Sequence, residues 1–520
     1  MKQLYLIAPP CEGTMEGFPG SLTIMKNYLD RTLGDNPSQI LDLEAERLSD
    51  LPRYIEDRLP KEREFIAGIT ATTATYQRAL ETARQIKSYN PQAITVIGGH
   101  HVKKGTGQDE VVLRSHPEID YVCTGDGEKT LEALMQGQNR SEIPNVTYLN
   151  EDSIQRSDPY DLSQDEIRTP FRIYETKSKT AKFDEGVSYP SSRGCHFKCS
   201  FCAVGKEKIR TKTVEDKVDD LKYLVLDKGY KQVAFEDNFF ASDLGKTSEL
   251  LKKIVEERDK DPEFRFNWTC QTRADHLEAP NSGISLEEMT DLIVASGANK
   301  IYLGIENFDP KMLIRMGKVK PPRDNLTGEE FESYRSFYES RYIAPAFRAT
   351  ETILQNPNVE TGVLFILGMP NETRETEEIN LQALEKIGRT AYNLPGRAHV
   401  YQSLSVVYPG THDTQRLLLE TDPTWTSIFE DYTKWEQGNG NDPDRVHLRE
   451  FMRDNFAHGA GGIPWGILDL EEMSNRRFKI DRNKLRRVEG YLGKIRALQG
   501  KDGCDLEIHS YVSDLQRAHE

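Results

Sequence analysis

Residues 187–202 read Val-Ser-Tyr-Pro-Ser-Ser-Arg-Gly-Cys-His-Phe-Lys-Cys-Ser-Phe-Cys and contain three of the seven cysteines in this 520-residue chain. Cys195, Cys199 and Cys202 stand in the spacing Cys-x3-Cys-x2-Cys. Three thiolates this close in sequence can bind one inorganic cluster, and a four-iron cubane held by them keeps one iron without a protein ligand. A substrate can coordinate that iron. The two phenylalanines between the cysteines are expected to shield the cluster partly, which tunes its potential.

The main alternative for these cysteines is a structural zinc site. Zinc would need a fourth ligand to close its tetrahedral shell, and Cys123, Cys270 or a histidine are the candidates. Zinc knuckles usually contain two separated cysteine pairs, whereas this chain has no second pair. The spacing therefore favours an iron–sulfur cluster over zinc.

Five further strand-like segments follow the cysteines, and helical patterns separate most of them. The segments cover residues 232–235, 266–270, 301–305, 362–367 and 400–404. Together with the strand that precedes the cysteines, they supply the six strands of a partial barrel. In parallel α/β barrels the chemistry gathers at the carboxyl ends of the strands, so the residues just after each strand are the candidate site.

Polar residues or glycine follow four of these strands. They are Glu236 and Asp237 after the second strand, Gln271 and Arg273 after the third, Glu306 and Asn307 after the fourth, and Gly368 after the fifth. Carboxylates and amides suit an ammonium group and ribose hydroxyls, and an arginine can pair with a carboxylate through two hydrogen bonds. Each acid taken singly is as well explained by a solvated cap or a salt bridge. Their recurrence at successive strand ends favours a binding site.

The cysteine loop in its setting Ser-Arg-Gly-Cys-His-Phe-Lys-Cys-Ser-Phe-Cys resembles the cluster loop of radical S-adenosylmethionine (radical SAM) enzymes. In that family the loop follows the first strand of a partial (β/α)6 barrel. The resemblance implies that the three cysteines hold a [4Fe-4S] cluster, that S-adenosylmethionine binds its fourth iron, and that electron transfer yields a 5′-deoxyadenosyl radical. It also implies that the polar strand-end residues bind S-adenosylmethionine. Leu-Gly-Ile-Glu-Asn at 303–307 is similar to the family's Gly-Ile-Glu-Ser, with Asn307 in place of the serine.

The first 136 residues show the rhythm of a parallel α/β domain. Apolar runs predict strands at residues 4–8, 40–43, 65–69, 94–97 and 121–123. Glycine turns follow the last two strands, as Gly98-Gly99 and as Gly125 and Gly127 within Gly-Asp-Gly-Glu. Such glycines either only make turns or let the backbone approach a ligand at the carboxyl end of a strand. Neither turn is a Gly-x-Gly-x-x-Gly dinucleotide fingerprint.

This domain resembles the cobalamin-binding domain that precedes the barrel in the largest subclass of radical SAM enzymes. The matching features are Pro9-Pro10, Gly-Ile-Thr-Ala-Thr-Thr-Ala-Thr at 68–75, Val-Ile-Gly-Gly-His at 96–100 and Gly-Asp-Gly-Glu at 125–128. The resemblance implies that Thr72, Thr73, Gly98 and Gly99 line the slot for the nucleotide tail of cobalamin. It makes Gly125 and Gly127 further candidate cofactor-binding residues.

One feature departs from other cobalamin-binding folds. No histidine lies between Pro10 and Gly20, so the lower-ligand motif Asp-x-His-x-x-Gly is absent. Either cobalamin binds without a protein nitrogen on cobalt, or the domain keeps the fold and has lost the cofactor. We assign cobalt ligation to neither His100 nor His101, because paired histidines in such a loop are more often plain surface residues.

The predicted fold class is α/β with a helical C-terminal region. The predicted regions are a Rossmann-like domain of cobalamin-binding type at 1–136, a connecting segment at 137–186, a radical SAM partial barrel at 187–412 and a mostly helical cap at 413–520. A cap would exclude water from radical chemistry. Its tryptophans, Trp425, Trp435 and Trp465, are equally well explained as the core of a helical appendix.

Charge and hydropathy restrict the partners. The chain carries 84 acidic and 68 basic side chains, and its net charge of −16 repels nucleic-acid phosphates. The sequence contains no apolar run of about 18 residues and no signal-peptide pattern, so we expect no membrane span and a cytoplasmic location. The odd number of cysteines argues against a secreted disulfide scaffold.

The two resemblances together imply a cobalamin-dependent radical SAM methyltransferase that acts on an unactivated carbon of a small molecule or natural-product intermediate. The alternative is oxidation, cyclisation or carbon–carbon bond formation by a radical SAM enzyme with cobalamin auxiliary or absent. A methylthiotransferase is disfavoured because only Cys11 and Cys123 precede the barrel, where a second triplet is needed. Family analogy implies a flavodoxin- or ferredoxin-type reductant. A non-enzymatic zinc scaffold is the rival from another class.

Overall fold

The chain folds around two seven-stranded sheets, and a separate two-stranded ribbon carries the cysteine loop. The computed structural model describes residues 1–10, 20–34, 38–44, 46–173, 186–278, 283–320, 335–438, 442–455 and 462–510. Among these residues, no helix combines the length and the apolar character that a bilayer crossing requires. The predicted α/β fold class is confirmed.

The first sheet belongs to the N-terminal region. Its strands are β1 (Gln3–Ala8), β2 (Ser38–Asp42), β3 (Phe65–Thr70), β4 (Ile94–Gly98), β5 (Tyr121–Cys123), β6 (Val146–Asn150) and β7 (Ser153–Arg156). Their order is β2-β1-β3-β4-β5-β6-β7, and β1 to β5 pair in parallel. The helices of this region are α1 (Gly20–Leu33), α2 (Leu51–Arg58), α3 (Tyr76–Tyr89), α4 (Gln108–Ser115) and α5 (Gly127–Gln136). All five predicted strands are confirmed, with ends shifted by at most two residues.

Both faces of this sheet are buried, which explains why its strands read as continuous apolar runs. Along β1, Tyr5 and Ile7 belong to one core cluster, whereas Leu4, Leu6 and Ala8 belong to the other. Side chains of a strand alternate between the two faces of a sheet, so a strand covered on both sides must be apolar at successive positions.

The segment between the two predicted domains carries regular structure of its own. Strands β6 and β7, which lie within the predicted connecting segment 137–186, form an antiparallel hairpin, and β6 pairs with β5 at the edge of the first sheet. The sequence did not indicate this hairpin, because three of the four residues of β7 are exposed and polar. A strand at a solvated edge has little apolar pattern to detect.

The second sheet forms the barrel. Its strands are β8 (Gly186–Tyr189), β11 (Gln232–Phe235), β12 (Asn267–Thr272), β13 (Ala298–Glu306), β14 (Glu360–Leu367), β15 (Ala398–Leu404) and β16 (Glu507–Ser510). All neighbours pair in parallel, and β8 and β16 are the two open edges. The helices around this sheet are α6 (Val214–Lys222), α7 (Leu244–Lys260), α8 (Leu286–Ala295), α9 (Pro310–Arg315), α10 (Ala344–Leu354) and α11 (Arg374–Asn393). The six predicted barrel strands are confirmed.

The C-terminal region is helical, as predicted, and it shares one core with the barrel. Its helices are α12 (His412–Glu420), α13 (Ile428–Gln437), α14 (Pro443–Asn455), α15 (Leu470–Ser474) and α16 (Arg482–Leu498). Trp425 and Trp465 are buried in that shared core. Gly466 lies so close to the carbonyl oxygen of Gly368, at the carboxyl end of β14, that a Cβ at Gly466 would overlap it. The region ends in β16, a seventh barrel strand that the sequence did not predict.

Candidate functional site

The cysteine loop connects the two strands of the ribbon, β9 (Ser192–Arg193) and β10 (Arg210–Thr211). Cys195, Cys199 and Cys202 are free thiols at intermediate burial. Backbone hydrogen bonds fold the loop back on itself, from the Glu207 amide to the Cys195 carbonyl at 2.9 Å and from the Lys206 amide to the Phe197 carbonyl at 2.8 Å. These bonds hold the cysteine backbone in place without using the thiols.

Glycine is required where the loop begins. Gly194 has a φ of +85°, and a Cβ there would overlap the Lys208 carbonyl oxygen. A residue with a side chain is strained at this φ. The Ser200 amide also donates to the Met316 carbonyl at 2.8 Å, which ties the loop to the chain just after α9. Gly194 thus sets the path on which the cysteine loop leaves β9.

The two cysteines considered as a fourth zinc ligand lie elsewhere. Cys123 is buried in the core of the first sheet, and its Sγ is 3.4 Å from the Thr130 hydroxyl. Cys270 is buried in the barrel core on β12. Burial raises the pKa of both thiols, which disfavours the thiolate that zinc needs. Neither Cys123 nor Cys270 therefore serves as the fourth ligand that would close a tetrahedral zinc site with the three loop cysteines.

Two buried cations lie next to the cysteine loop. The Arg273 guanidinium carbon is 4.0 Å from the centre of the Phe197 ring, and its Nη2 donates to the Lys318 carbonyl at 2.8 Å. Lys318 Nζ donates to the Gly304 carbonyl at 2.8 Å and lies 3.2 Å from Glu306 Oε1. Burial alone would lower the pKa of Lys318, but the neighbouring Tyr342 and Glu306 raise it above its ordinary value. The lysine is therefore charged, and positive charge favours nearby thiolates or an anionic cluster.

Arg273 also carries an unused donor. Its Nη1 is buried and has no hydrogen-bond partner among the described residues, although Nε and Nη2 bind the Asp275 carboxylate at 3.0 and 2.9 Å. A buried donor without a partner is costly, and a carboxylate on a bound ligand would satisfy it. Arg273 therefore fits its predicted role. Nothing in the sequence around Lys318 marked that lysine as its neighbour.

The acids after β11 divide between two tasks. Glu236 is exposed toward the space in front of the cysteine loop, and its Oε1 accepts from the Ser188 hydroxyl at 3.2 Å. Asp237 is buried and accepts from the Ser191 amide at 2.7 Å, the Ser192 amide at 2.7 Å and the Ser191 hydroxyl at 2.6 Å. Alternation of side chains along the extended chain puts the two on opposite sides. Asp237 thus positions the start of the cysteine loop and does not line the cavity.

Other predicted strand-end residues are also used within the fold. Asn307 is fully buried, and its Oδ1 accepts from the Asp309 amide at 2.9 Å. Gly368 has a φ of +67° and donates its amide to Glu372 Oε2 at 2.8 Å. Gln271 is exposed. The structure brings none of these three to the cavity that contains the cysteines, and their cofactor roles stay predictions.

A cavity of about 1230 Å³ lies between the two sheets. From the N-terminal region, Gly99, Gly125 and Gly127 line it, and we call these three residues the glycine wall. From the barrel, Cys199, Cys202 and Glu236 line it, and we call these the cysteine wall. Three of the predicted cofactor- or metal-binding residues from each domain therefore line one shared space.

The glycine wall is a backbone surface. Gly99 has a φ of +107°, and a Cβ there would lie 2.5 Å from the Ala71 carbonyl oxygen. A Cβ on Gly125 would lie 2.8 Å from Asn145 Cγ. Thr72 and Thr73 do not reach the cavity, since the Thr72 hydroxyl contacts Thr75 at 3.1 Å and the Thr73 hydroxyl contacts His101 Nδ1 at 3.2 Å. Gly98 also lies behind the wall.

The two histidines of this loop differ in position. His101 is buried and stacks on Tyr76 with ring centres 3.9 Å apart, and burial lowers its pKa to about 3. His100 lines the cavity, and burial also lowers its pKa. His101 is therefore a neutral core residue, which corrects the expectation of a plain surface residue, and it stays unassigned as a cobalt ligand.

Sequence analysis missed the role of Asp126 and Glu128, the two acids of the Gly-Asp-Gly-Glu turn. Arg193, just before the cysteines, binds Asp126 at 3.2 Å and forms a shorter ion pair with buried Glu128. Arg210, on the other strand of the ribbon, also pairs with Asp126. Burial alone would raise the pKa of Asp126, but the two arginines hold it below its ordinary value. We call these four residues the interdomain clamp. Partners so distant in sequence leave no local pattern.

Two family models match the chain. The model of the B12 binding domain matches residues 22–135, and the model of the radical SAM superfamily matches residues 189–382. The first match contains the glycine wall, and the second contains the cysteine wall. Each matched domain therefore supplies one side of the shared cavity.

The chain is also similar to known proteins. The uncharacterized methyltransferase PH0819 of Pyrococcus horikoshii is 24% identical over 424 residues, which cover 79% of this chain and 82% of that protein. The anaerobic magnesium-protoporphyrin IX monomethyl ester cyclase of Rubrivivax gelatinosus is 25% identical over 340 residues, which cover 62% of this chain and 54% of that protein. This chain thus spans about half the length of the cyclase.

A solved structure shares the fold. TsrM of Kitasatospora setae, a radical S-adenosylmethionine methyltransferase with cobalamin and a [4Fe-4S] cluster bound, is similar with a TM-score of 0.62 and 19% identity. The match covers 81% of this chain and 78% of that chain. From the two matched domains and the cavity between them, we conclude that the chain belongs to the radical SAM superfamily, in the subclass whose barrel follows a cobalamin-binding domain.

Proposed function

We propose that this protein is a cobalamin-dependent radical SAM methyltransferase that methylates an unactivated carbon of a small molecule. The observation that carries this proposal is the cavity with the glycine wall on one side and the cysteine wall on the other. Methyl transfer to a carbon radical requires the methyl donor and the radical source to face one substrate. A single space bounded by both walls meets that requirement.

The donor sets of the two walls fit the groups that we propose they hold. Cys195, Cys199 and Cys202 would hold the [4Fe-4S] cluster, and the unpartnered Nη1 of Arg273 suits the carboxylate of S-adenosylmethionine. Gly99 and Gly125 line the cavity with backbone, which would suit the nucleotide tail of cobalamin. Their lack of a side chain is itself required by the neighbouring Ala71 and Asn145. When bound, these groups supply a carbon-centred radical and a transferable methyl group.

The chain's own residues position and enclose these groups. The interdomain clamp joins the ribbon of the cysteine loop to the N-terminal domain, so it sets the separation between the two walls. Arg273 and Lys318 supply positive charge near Cys195, which opposes the rise that burial causes in the pKa of that thiol. Residues 409–412 of the C-terminal side also line the cavity and restrict the entry of water.

The names of the relatives favour methyl transfer over the alternatives of oxidation and cyclisation. The relative matched over most of both chains is named a methyltransferase, and so is TsrM. The cyclase relative is matched over only about half of its length. A flavodoxin- or ferredoxin-type reductant and a cytoplasmic location remain part of the proposal by family analogy.

The test uses protein purified anaerobically from cells supplied with iron and cobalamin. We expect iron–sulfur and corrin absorption in its visible spectrum. With S-adenosylmethionine and a low-potential reductant, we expect both 5′-deoxyadenosine and S-adenosylhomocysteine. Formation of 5′-deoxyadenosine alone, in cobalamin-loaded protein, would contradict the methyltransferase proposal and leave another radical reaction.

A further inference from the structure

We propose that the barrel carries a second metal site, at the end opposite to the cysteines, where His399, Glu507 and His509 bind one zinc-type divalent ion. His399 is the second residue of β15, and Glu507 is the first residue of β16. These positions are the amino ends of parallel strands, whereas the cysteine loop follows the carboxyl end of β8. The site is therefore separate from the cavity of the proposed function and does not depend on it.

The distances among the three ligand atoms match one face of a metal tetrahedron. His399 Nδ1 is 3.0 Å from His509 Nε2 and 3.3 Å from Glu507 Oε2, and His509 Nε2 is 3.2 Å from the same oxygen. Zinc bonds of about 2.0–2.1 Å in tetrahedral geometry put neighbouring ligands about 3.3 Å apart. An ion about 0.9 Å above the centre of this triangle would reach all three atoms at ordinary bond lengths.

Strand register explains why the three side chains meet. In the parallel pairing of β15 with β16, His399 lies opposite Glu507, and Tyr401 lies opposite His509. Side chains two residues apart on a strand share a face, so Glu507 and His509 project on the same side as His399. The sequence Glu-Ile-His on the last strand thus delivers two ligands to a histidine that is distant in the chain.

The surroundings of His399 also suit a metal ligand. Its other ring nitrogen, Nε2, faces Glu360 Oε2 at 3.6 Å, and Glu360 is held by Lys300 at 2.7 Å. Although 3.6 Å is outside hydrogen-bond distance, the negative charge of Glu360 favours a proton on Nε2, which leaves Nδ1 available to metal. The His399 side chain is 6% exposed, whereas the Glu507 side chain is 51% exposed. The buried side is therefore preformed, and the exposed side leaves room for a fourth ligand such as water.

A metal here would fasten the edge of the barrel. β16 is four residues long, and among the described strands it pairs only with β15. A short edge strand opens readily, and one ion bound by ligands from both strands would hold it closed. The site is thus structural in character. Zinc is the expected occupant because two imidazoles and a carboxylate suit it.

The test counts zinc in the intact holoprotein. Full-length protein, with its cluster reconstituted so that the cysteines are occupied, is incubated with about two equivalents of zinc chloride and desalted, and zinc and iron are measured by mass spectrometry. We expect about one zinc per chain in the unaltered protein. His509→Gln should lower the bound zinc by about tenfold or more at unchanged iron content.

The matched control is His447→Gln. His447 forms a comparable pair with Glu489 at 3.1 Å, but it is exposed. Within the described part of the chain, three such ligand atoms converge only at His399, Glu507 and His509. The control variant should therefore keep its zinc. Zinc should also raise the unfolding temperature of the unaltered protein and of the control, but not of His509→Gln.

Two outcomes would overturn the proposal. One is the absence of bound zinc in the unaltered holoprotein, which would make His399, Glu507 and His509 a hydrogen-bonded group only. The other is equal zinc in His509→Gln and in the unaltered protein. If His509→Gln also loses iron, and so fails to fold, Glu507→Gln removes a half-exposed ligand instead, and the same loss of zinc is expected. Retention of zinc by a folded Glu507→Gln would likewise contradict the site.

Discussion

The two walls of the cavity differ in whether side chains or backbone atoms line them. The cysteine wall takes its chemistry from side chains, and its two thiols belong to a triplet contained in eight consecutive residues. The glycine wall takes its shape from bare backbone, at turns that follow two different strands. The chemistry of the cysteine wall depends on particular side chains and can be removed one residue at a time. The shape of the glycine wall depends instead on the absence of side chains. Substitutions should therefore damage the two walls in different ways.

The largest effect is expected at the cysteine wall. Cys199→Ala removes one of three thiolates and should abolish cluster assembly, because two ligands do not hold a cubane. Iron content and 5′-deoxyadenosine formation should both fall to background while the chain still folds. Cobalamin content, measured in the same protein, should persist, since the glycine wall is untouched.

The matched control for that variant is Cys504→Ala. Cys504 is a buried thiol next to Gly388, outside the cavity. Its substitution should leave iron content unchanged. If Cys199→Ala kept full iron and full activity, the cysteine wall would not be a cluster site.

The next effect concerns the interdomain clamp. Arg193→Met leaves Glu128 buried without its partner, and breaking a buried pair in this way costs about 3 kcal/mol of folding free energy. The denaturation midpoint should fall accordingly, and iron and cobalamin content should fall together, since the clamp joins both walls. The double variant Arg193→Met, Glu128→Gln should recover most of the lost stability. Equal stability of the single variant and the unaltered protein would contradict the clamp.

The same clamp predicts a dependence of stability on pH. Because the folded state holds the pKa of Asp126 below its ordinary value of 3.8, the clamp contributes its full stability above that pH. The contribution is lost progressively as pH falls from about 4 through the lower pKa of the folded state, below which the carboxyl is protonated in both the folded and the unfolded state. Asp126→Asn should flatten this part of the stability curve, measured by denaturant titration at each pH. If Asp126→Asn left the loss of stability at low pH unchanged, Asp126 would not be the cause of that loss.

A smaller effect is expected for Arg273→Lys. Lysine keeps the charge but lacks the planar fork, so the unpartnered Nη1 is lost. Loss of one charged hydrogen bond of about 1.5 kcal/mol should weaken S-adenosylmethionine binding about tenfold, as measured by anaerobic equilibrium dialysis. Arg348→Lys alters an exposed pair with Glu278 and should leave that affinity unchanged. Equal affinity in Arg273→Lys with intact iron would reduce Arg273 to a structural role.

The smallest effect is expected at the glycine wall. Gly99→Ala places a methyl group 2.5 Å from the Ala71 carbonyl at a φ of +107°, so the loop must shift, and cobalamin binding should weaken several-fold. Gly105→Ala is the control, because Gly105 has a φ of +82° but open space around a Cβ. Backbone strain is common to both variants, so only a loss specific to Gly99→Ala supports the wall. Cobalamin content relative to iron measures the difference.

Much of the fold was predictable because its strands and helices show in the local spacing of apolar residues. Five strands of the first sheet and six strands of the barrel were predicted, with ends that differ from the structure by at most three residues, since buried parallel strands read as apolar runs. The β6–β7 hairpin and β16 were missed. β7 lies at a solvated edge, and β16 is a four-residue strand whose Glu507 and His509 break any apolar pattern.

The predicted site residues fall into two groups, those that a cofactor can reach and those whose polar atoms bind within the fold. Glu236 and the wall glycines line the cavity, where a cofactor can reach them, whereas Asp237 and Asn307 are used inside the fold. Arg273 is buried outside that lining and keeps one donor, Nη1, without a partner among the described residues. A strand end shows which residues come next in the chain, but the hydrogen bonds that a carboxylate finally makes depend on what packs against it. Asp237 and Glu236 are neighbours in sequence and yet face opposite sides.

By itself, the sequence determined the fold class, the order of the strands along the chain and the cysteine triplet, because each of these rests on residues close together in the chain. Only the tertiary structure decided the clamp between Arg193 and Glu128, 65 residues apart, and the meeting of His399 with His509, 110 residues apart. Contacts over such separations follow from strand register and domain packing. Neither strand register nor domain packing leaves a pattern in one sequence, because many different side chains at these positions are compatible with the same backbone fold.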